Sequence, residues 1–100
     1  MSKFTNVVRF SVKKGSEKLF ETQINNMNRW DGLLIHVVAK TGTSSYVSYG
    51  LWESEQSMSL ARPKMIELLD SCRDFLEEIS PELGVTDPVS GPVISEYIDI

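Results

Sequence analysis

One hundred residues with 41% hydrophobic and 24% charged side chains suit one globular domain and leave no room for a second. A net charge of -4 excludes partners that need a basic field, such as nucleic acid or an anionic membrane, because counterion release and docking both require clustered cations. The one local cluster, Lys13, Lys14 and Lys18, is short and reads as a solvated turn. A single cysteine, Cys72, cannot form an internal disulfide, and no basic start followed by an apolar stretch precedes Phe4. The chain is therefore expected in the cytoplasm, and no window approaches the roughly 18 apolar residues of a membrane span.

Phe4 to Val12 alternates as a strand does, with Val8, Phe10 and Val12 on one face and Val7, Arg9 and Ser11 on the other. Lys14-Gly15 breaks it. Ser16 then offers a helix cap, Glu17 complements the helix dipole, and Phe20, Ile24 and Met27 form an apolar stripe that predicts a helix to about Trp30. Asp31-Gly32 ends that helix. Leu33 to Lys40 is a second strand, and the turn-rich Thr41 to Ser45 leads into a third, Tyr46 to Glu53, which makes an antiparallel hairpin.

Ser54 is a candidate N-cap for a short helix, interrupted where Pro63 disfavours helical backbone at Arg62. A longer helix follows, in which Met65, Leu68, Leu69, Cys72, Phe75, Leu76 and Ile79 keep helical spacing up to Pro81. Ser80 to Pro92, with three prolines and two glycines, reads as a long loop suited to a lid or dimer arm, and Val93 to Asp99 as the last strand. The order is β-α-β-β-α-β, a ferredoxin-like α+β fold with two helices on one face of a four-stranded antiparallel sheet. Leu33 to Ile35, Val37-Val38 and Val7-Val8 place apolar side chains on both faces, whereas two helices cover one. A second copy is the simplest cover for the other, so a homodimer through the sheet face is expected.

One histidine and one cysteine cannot supply a structural zinc site, so no metal is expected. Copper-chaperone domains of this topology need a cysteine pair where this chain has Lys14-Gly15-Ser16. RNA-binding domains need strand aromatics in a basic, Gly-rich segment, which the chain lacks; acylphosphatases cradle phosphate in a Gly-rich first loop, and with one glycine and no arginine there this chain makes that a weak alternative. Among single residues, His36 lies mid-strand with Leu34 and Val38 on its face and is either a base or an interface histidine. Cys72, on the apolar helix face, reads as a small core residue. Trp52 ends the third strand on the face of Tyr46, Ser48 and Gly50; a strand glycine beside aromatics marks a close approach of ligand or backbone, and core packing explains the tryptophan equally well. Tyr49 lies on the opposite face with Val47 and Leu51, placed to meet Arg9 or His36 if the register allows. Arg9, Arg62 and Glu96 are further polar candidates, each also readable as a surface charge.

Arg9-Phe10-Ser11-Val12-Lys13-Lys14-Gly15, Phe20 in the first helix, and Trp52-Glu53-Ser54-Glu55-Gln56-Ser57-Met58 running into a broken second helix resemble the antibiotic-biosynthesis-monooxygenase-like family over nearly the whole chain. The resemblance implies a dimeric α/β barrel built from two facing sheets, with a pocket between sheet and helices for planar molecules. Some members are monooxygenases that oxidise phenols or quinols with O2 and no cofactor, while relatives degrade haem. The haem branch's strand-one asparagine falls at Val8 here, its helix tryptophan near Ala61, and the long helix has no histidine. Cofactor-free oxidation of a small phenol- or quinol-type aromatic is then the implied function, with His36, Tyr49 and Trp52 as catalytic candidates and Arg9, Tyr46, Ser48 and Trp52 as the substrate pocket. A small-molecule-binding homodimer without catalysis is the alternative.

Overall fold

The computed structural model describes residues 2–98. Strand β1 (Phe4–Val12) runs through the middle of an antiparallel sheet. It pairs along one edge with β3 (Ser45–Trp52), which in turn pairs with β2 (Leu33–Lys40). Two strands share the other edge of β1: β4 (Leu76–Glu77) beside Ser11 and Val12, and β5 (Asp87–Pro92) beside Phe4 to Arg9. Three helices, α1 (Glu17–Ile24), α2 (Glu55–Leu60) and α3 (Arg62–Cys72), accompany them. This is the ferredoxin-like α+β arrangement, with its fourth strand position divided between β4 and β5. The expected four-stranded sheet is thus corrected to five.

Three boundaries differ from expectation for local reasons. Helix α1 stops at Ile24 because Asn25 and Asn26 favour side-chain to backbone bonding over helix continuation; the Asn25 amide donates to the Glu21 carbonyl at 2.8 Å, satisfying a helix-end acceptor. Trp30 is thereby freed from the helix. Helix α3 ends at Cys72 and passes through a 3-10 turn at Arg73–Phe75 into an extended Leu76, which pairs with Val12. The last strand is β5, not Val93 to Asp99: Val93 to Ile98 form no regular element, and Asp99 lies outside the described residues.

Alternation places Phe4, Asn6, Val8, Phe10 and Val12 of β1 on the helix-covered face, opposite Trp52, Gly50, Ser48 and Tyr46 of β3. One core cluster forms there around Phe10, Phe20 and Tyr46, whose ring centroids lie 5.1–5.8 Å apart, and buries Val12, Cys72 and Leu76 with them. A second gathers Phe4, Trp52, Met58 and Ala61. Ser54 caps α2 as its position predicts, its hydroxyl accepting from the Ser57 N–H at 3.1 Å. Gly32 turns the chain into β2 at φ 80°, where a side chain would also strike Ser57. The opposite face of the sheet carries Val7, Ile35, Val37, Val47, Tyr49 and Leu51 with none of the described helices over it; Leu51 is buried there, whereas Val37 is 50% exposed.

Candidate functional site

Between the sheet and the helices lies a cavity of about 490 Å³, within the usual range for small-molecule sites. Its sheet floor carries Asn6, Val8, His36, Ser48 and Trp52; α1, α2 and α3 contribute apolar walls that include Phe20, Met58 and Met65. Asn6, His36 and Ser48 make the floor polar because they interrupt an otherwise apolar alternation there.

The central polar contact joins two strands. The Trp52 indole Nε1 donates to Asn6 Oδ1 at 2.7 Å. An indole N–H can only donate, so the carbonyl oxygen of Asn6 must face it and the amide Nδ2 is left without a protein acceptor among the described residues. Gly50, paired directly with Asn6, makes this contact possible: a Cβ there would lie 2.5 Å from Asn6 Oδ1 and 3.0 Å from Trp52 Nε1. The close approach signalled by the strand glycine is therefore an approach of two side chains across it. Trp30, in the segment that follows α1, stacks near Trp52 with ring centroids 6.3 Å apart and lines the same cavity.

The residues singled out from sequence separate into two groups. Trp52, Ser48 and His36 are brought together on the cavity wall, while Tyr49 and Arg9 stand on the opposite face of the sheet. His36 pairs with Gly50 and Tyr49 with Val37, so neighbouring positions alternate and Tyr49 meets neither His36 nor the cavity. Arg9 points to the same open face and pairs with Asp87 instead. This corrects the expected grouping of Arg9 with the pocket and of Tyr49 with His36. Leu34, expected beside His36, falls in a register irregularity between Leu33 and Ile35. Tyr46 is on the cavity side but sits in the aromatic core, donating to Glu21 Oε2 at 2.7 Å. Burial, reinforced by that carboxylate, pushes its phenol up to about 12, so it stays protonated and serves packing. Arg62 lines the cavity, whereas Glu96 pairs with Lys3 outside it.

Asn6 and Trp30 were not singled out from sequence. Asn6 had a legible signal, since it is the one polar side chain on the helix-facing side of β1. Trp30 had none, because its position depends on where α1 ends.

Burial likewise keeps Cys72 a thiol by raising its pKa, and desolvation lowers that of His36 below 6.5. His36 is nonetheless an exposed residue, so solvent screens part of this effect; the shift favours the neutral ring, which can accept a proton. The unfolded chain protonates this histidine first, so its contribution to stability is intact above pH 6.5 and is lost as the pH falls through the folded-state value. Thermal melts at pH 7.5 and 5.5 should show a larger drop in melting temperature for the native chain than for His36→Gln; equal drops would contradict a desolvated ring. Among the described residues no three His, Cys, Asp or Glu side chains converge as a metal site, and no helix is long and apolar enough to cross a membrane.

No family profile matches the sequence, and no curated protein matches it either. Solved structures do match. SnoaB from Streptomyces nogalater, a cofactor-independent oxygenase, superposes with a TM-score of 0.73 at 17% identity, covering 99% of this chain and 100% of that one. A proposed antibiotic biosynthesis monooxygenase from Chloroflexus aurantiacus gives 0.73 at 14% identity, covering 96% and 97%. The chain has the fold of the antibiotic biosynthesis monooxygenases. A dimeric ferredoxin-like protein from an uncultured marine organism shares this architecture too, with a TM-score of 0.72 at 17% identity over 100% of this chain and 95% of that one. At such identities the likeness to antibiotic biosynthesis monooxygenases is one of architecture, and the chemistry must be argued from the cavity.

Proposed function

We propose that the chain is a cytoplasmic, cofactor-independent monooxygenase that oxidises a small phenol- or quinol-type aromatic with O2, working as a homodimer without a metal or organic cofactor. The observation that carries this reading is the Asn6–Trp52 pair set into an apolar 490 Å³ cavity, in a fold shared with a cofactor-independent oxygenase. Trp30, half-buried, offers a flat apolar wall for a ring, with the buried Trp52 stacked near it, and Asn6 Nδ2 offers a donor to a substrate oxygen.

The chemistry requires little from the protein beyond this. For an anthrone-type substrate, a base removes a proton from the ring CH2 group, and the resulting delocalised anion passes one electron to O2. The substrate radical and superoxide combine at carbon to form a peroxide, which takes up the proton and loses water to leave a carbonyl. The balance is CH2 plus O2 giving C=O plus H2O, with all electrons supplied by the substrate. In this reading His36, Asn6 and Ser48, all lining the cavity, act respectively by taking and returning the proton, stabilising negative charge on the substrate oxygen, and fixing the substrate's edge. Apolar walls exclude water from the carbanion.

The homodimer is supported by the uncovered apolar face around Val37 and Tyr49, and by Ile94 and Tyr97, 96% and 88% exposed in the segment after β5. Oxygen uptake by metal-stripped protein with hydroquinones, anthrones and catechols tests the activity. Uptake should depend on protein, and Asn6→Ala should lower kcat by about a hundredfold, as loss of an oxyanion donor does elsewhere. No uptake across the panel, with a saturable rise in melting temperature on ligand addition, would instead establish the non-catalytic binding homodimer.

A further inference from the structure

We infer that the cavity selects an aromatic ligand carrying an anionic group, a carboxylate above all, and that Arg62 is the residue that holds it. This rests on the cavity's being the ligand site, as the proposed function requires. The chain contains fourteen Asp and Glu residues, yet none of those described lines the cavity, and Arg62 is the one lining residue with a full positive charge at neutral pH. In an acidic protein that distribution leaves a local field favouring an anion.

Arg62 is also available. Arg9 and Arg73 are engaged with Asp87 and Asp70, whereas Arg62 has no carboxylate within 4.0 Å among the described residues. Met65, Ile66 and Leu69 stand three, four and seven positions further along α3 and all line the cavity, so helical periodicity puts Arg62 on the same face. Arg62 is an exposed residue of the lining, so its aliphatic stem can follow that apolar wall while the guanidinium reaches the ligand's charged end. A planar carboxylate matches the guanidinium fork in two parallel hydrogen bonds, which an amide cannot form with equal strength. The ligand is thus oriented, rings inward toward Trp30 and charge outward.

Both tryptophans of the chain line the cavity, so intrinsic fluorescence reports entry directly. The experiment compares quenching by 2-naphthoate and by 2-naphthamide at low salt and pH 7.5, in the native chain, Arg62→Gln and Arg62→Lys. The carboxylate should bind about tenfold more tightly than the amide, as expected for a charge-assisted pair. Arg62→Gln should erase that preference while leaving amide affinity within about threefold, which also shows that the variant is folded; Arg62→Lys should keep part of it. Equal affinity for the two probes in the native chain, or a preference that survives Arg62→Gln, would overturn the assignment while leaving the cavity as the site. Quenching by neither probe would overturn the cavity reading, and this inference with it.

Discussion

Trp52→Ala is expected to abolish oxygen uptake and to lower the free energy of unfolding by about 3–5 kcal/mol, the range for removing a buried aromatic. Trp52 is 1% exposed and packs with Phe4, Met58 and Ala61, so the lost volume leaves a void beneath β3. Because instability alone would depress activity, Trp52→Phe is the informative companion. It keeps an aromatic wall but removes the N–H that holds Asn6 Oδ1, at a cost of about 1 kcal/mol. The Asn6 amide is then free to turn, and its donor no longer points at one place. Urea unfolding should find Trp52→Phe folded, and turnover should fall with it at saturating substrate. A folded Trp52→Phe with native turnover would show that the Asn6–Trp52 bond has no part in the reaction.

Val37→Asp is expected to halve the particle mass. Val37 lies at the centre of the uncovered face, paired with Tyr49, which itself pairs with Val7. A charge placed there in a monomer would be a surface substitution worth within about 0.5 kcal/mol. In a dimer that buries this face, it leaves two unpaired carboxylates between apolar sheets, and the desolvation cost of several kcal/mol opposes assembly. Light scattering at micromolar concentration distinguishes the cases: a dimeric native chain and a monomeric variant support the arrangement, and equal masses contradict it. Tyr49→Phe adds a second readout. With Tyr49 on the face away from the cavity, its hydroxyl cannot reach a substrate held against Trp52, and turnover should be unchanged.

Much of the fold was legible because period-two alternation is a direct consequence of the pleat. The face shared by Val8, Phe10 and Val12, the hairpin of β2 and β3, the Ser54 cap and the break before Pro63 all follow from local chemistry. The boundaries that were not legible turn on competition between local and distant partners. Leu76 satisfies the helical spacing of α3 as well as it satisfies a strand, and its pairing with Val12 decides the matter. Strand β5 contains Pro88, Gly91 and Pro92, a loop composition, and tolerates them because it lies at the sheet edge. Val93 N–H donates to the Lys3 carbonyl at 2.9 Å, so the alternate positions 88 and 92 direct their missing N–H groups away from β1.

The site was half legible for the same reason. Trp52 and Ser48 could be placed on one face by counting, and Gly50 pointed to a close approach. The separation of His36 from Tyr49 required the register between β2 and β3, which sequence does not fix, and the stacking of Trp30 required the true end of α1.

In the proposed reaction O2 attacks an aromatic held in this cavity, using the substrate's own electrons. Turnover of an anthrone by metal-stripped protein under isotopically labelled dioxygen, with mass spectrometry of the quinone formed, tests it most directly. One labelled oxygen is expected in each product molecule, with loss of that labelled product in Trp52→Phe. Product that is unlabelled, or label that appears at the same rate without protein, would contradict it.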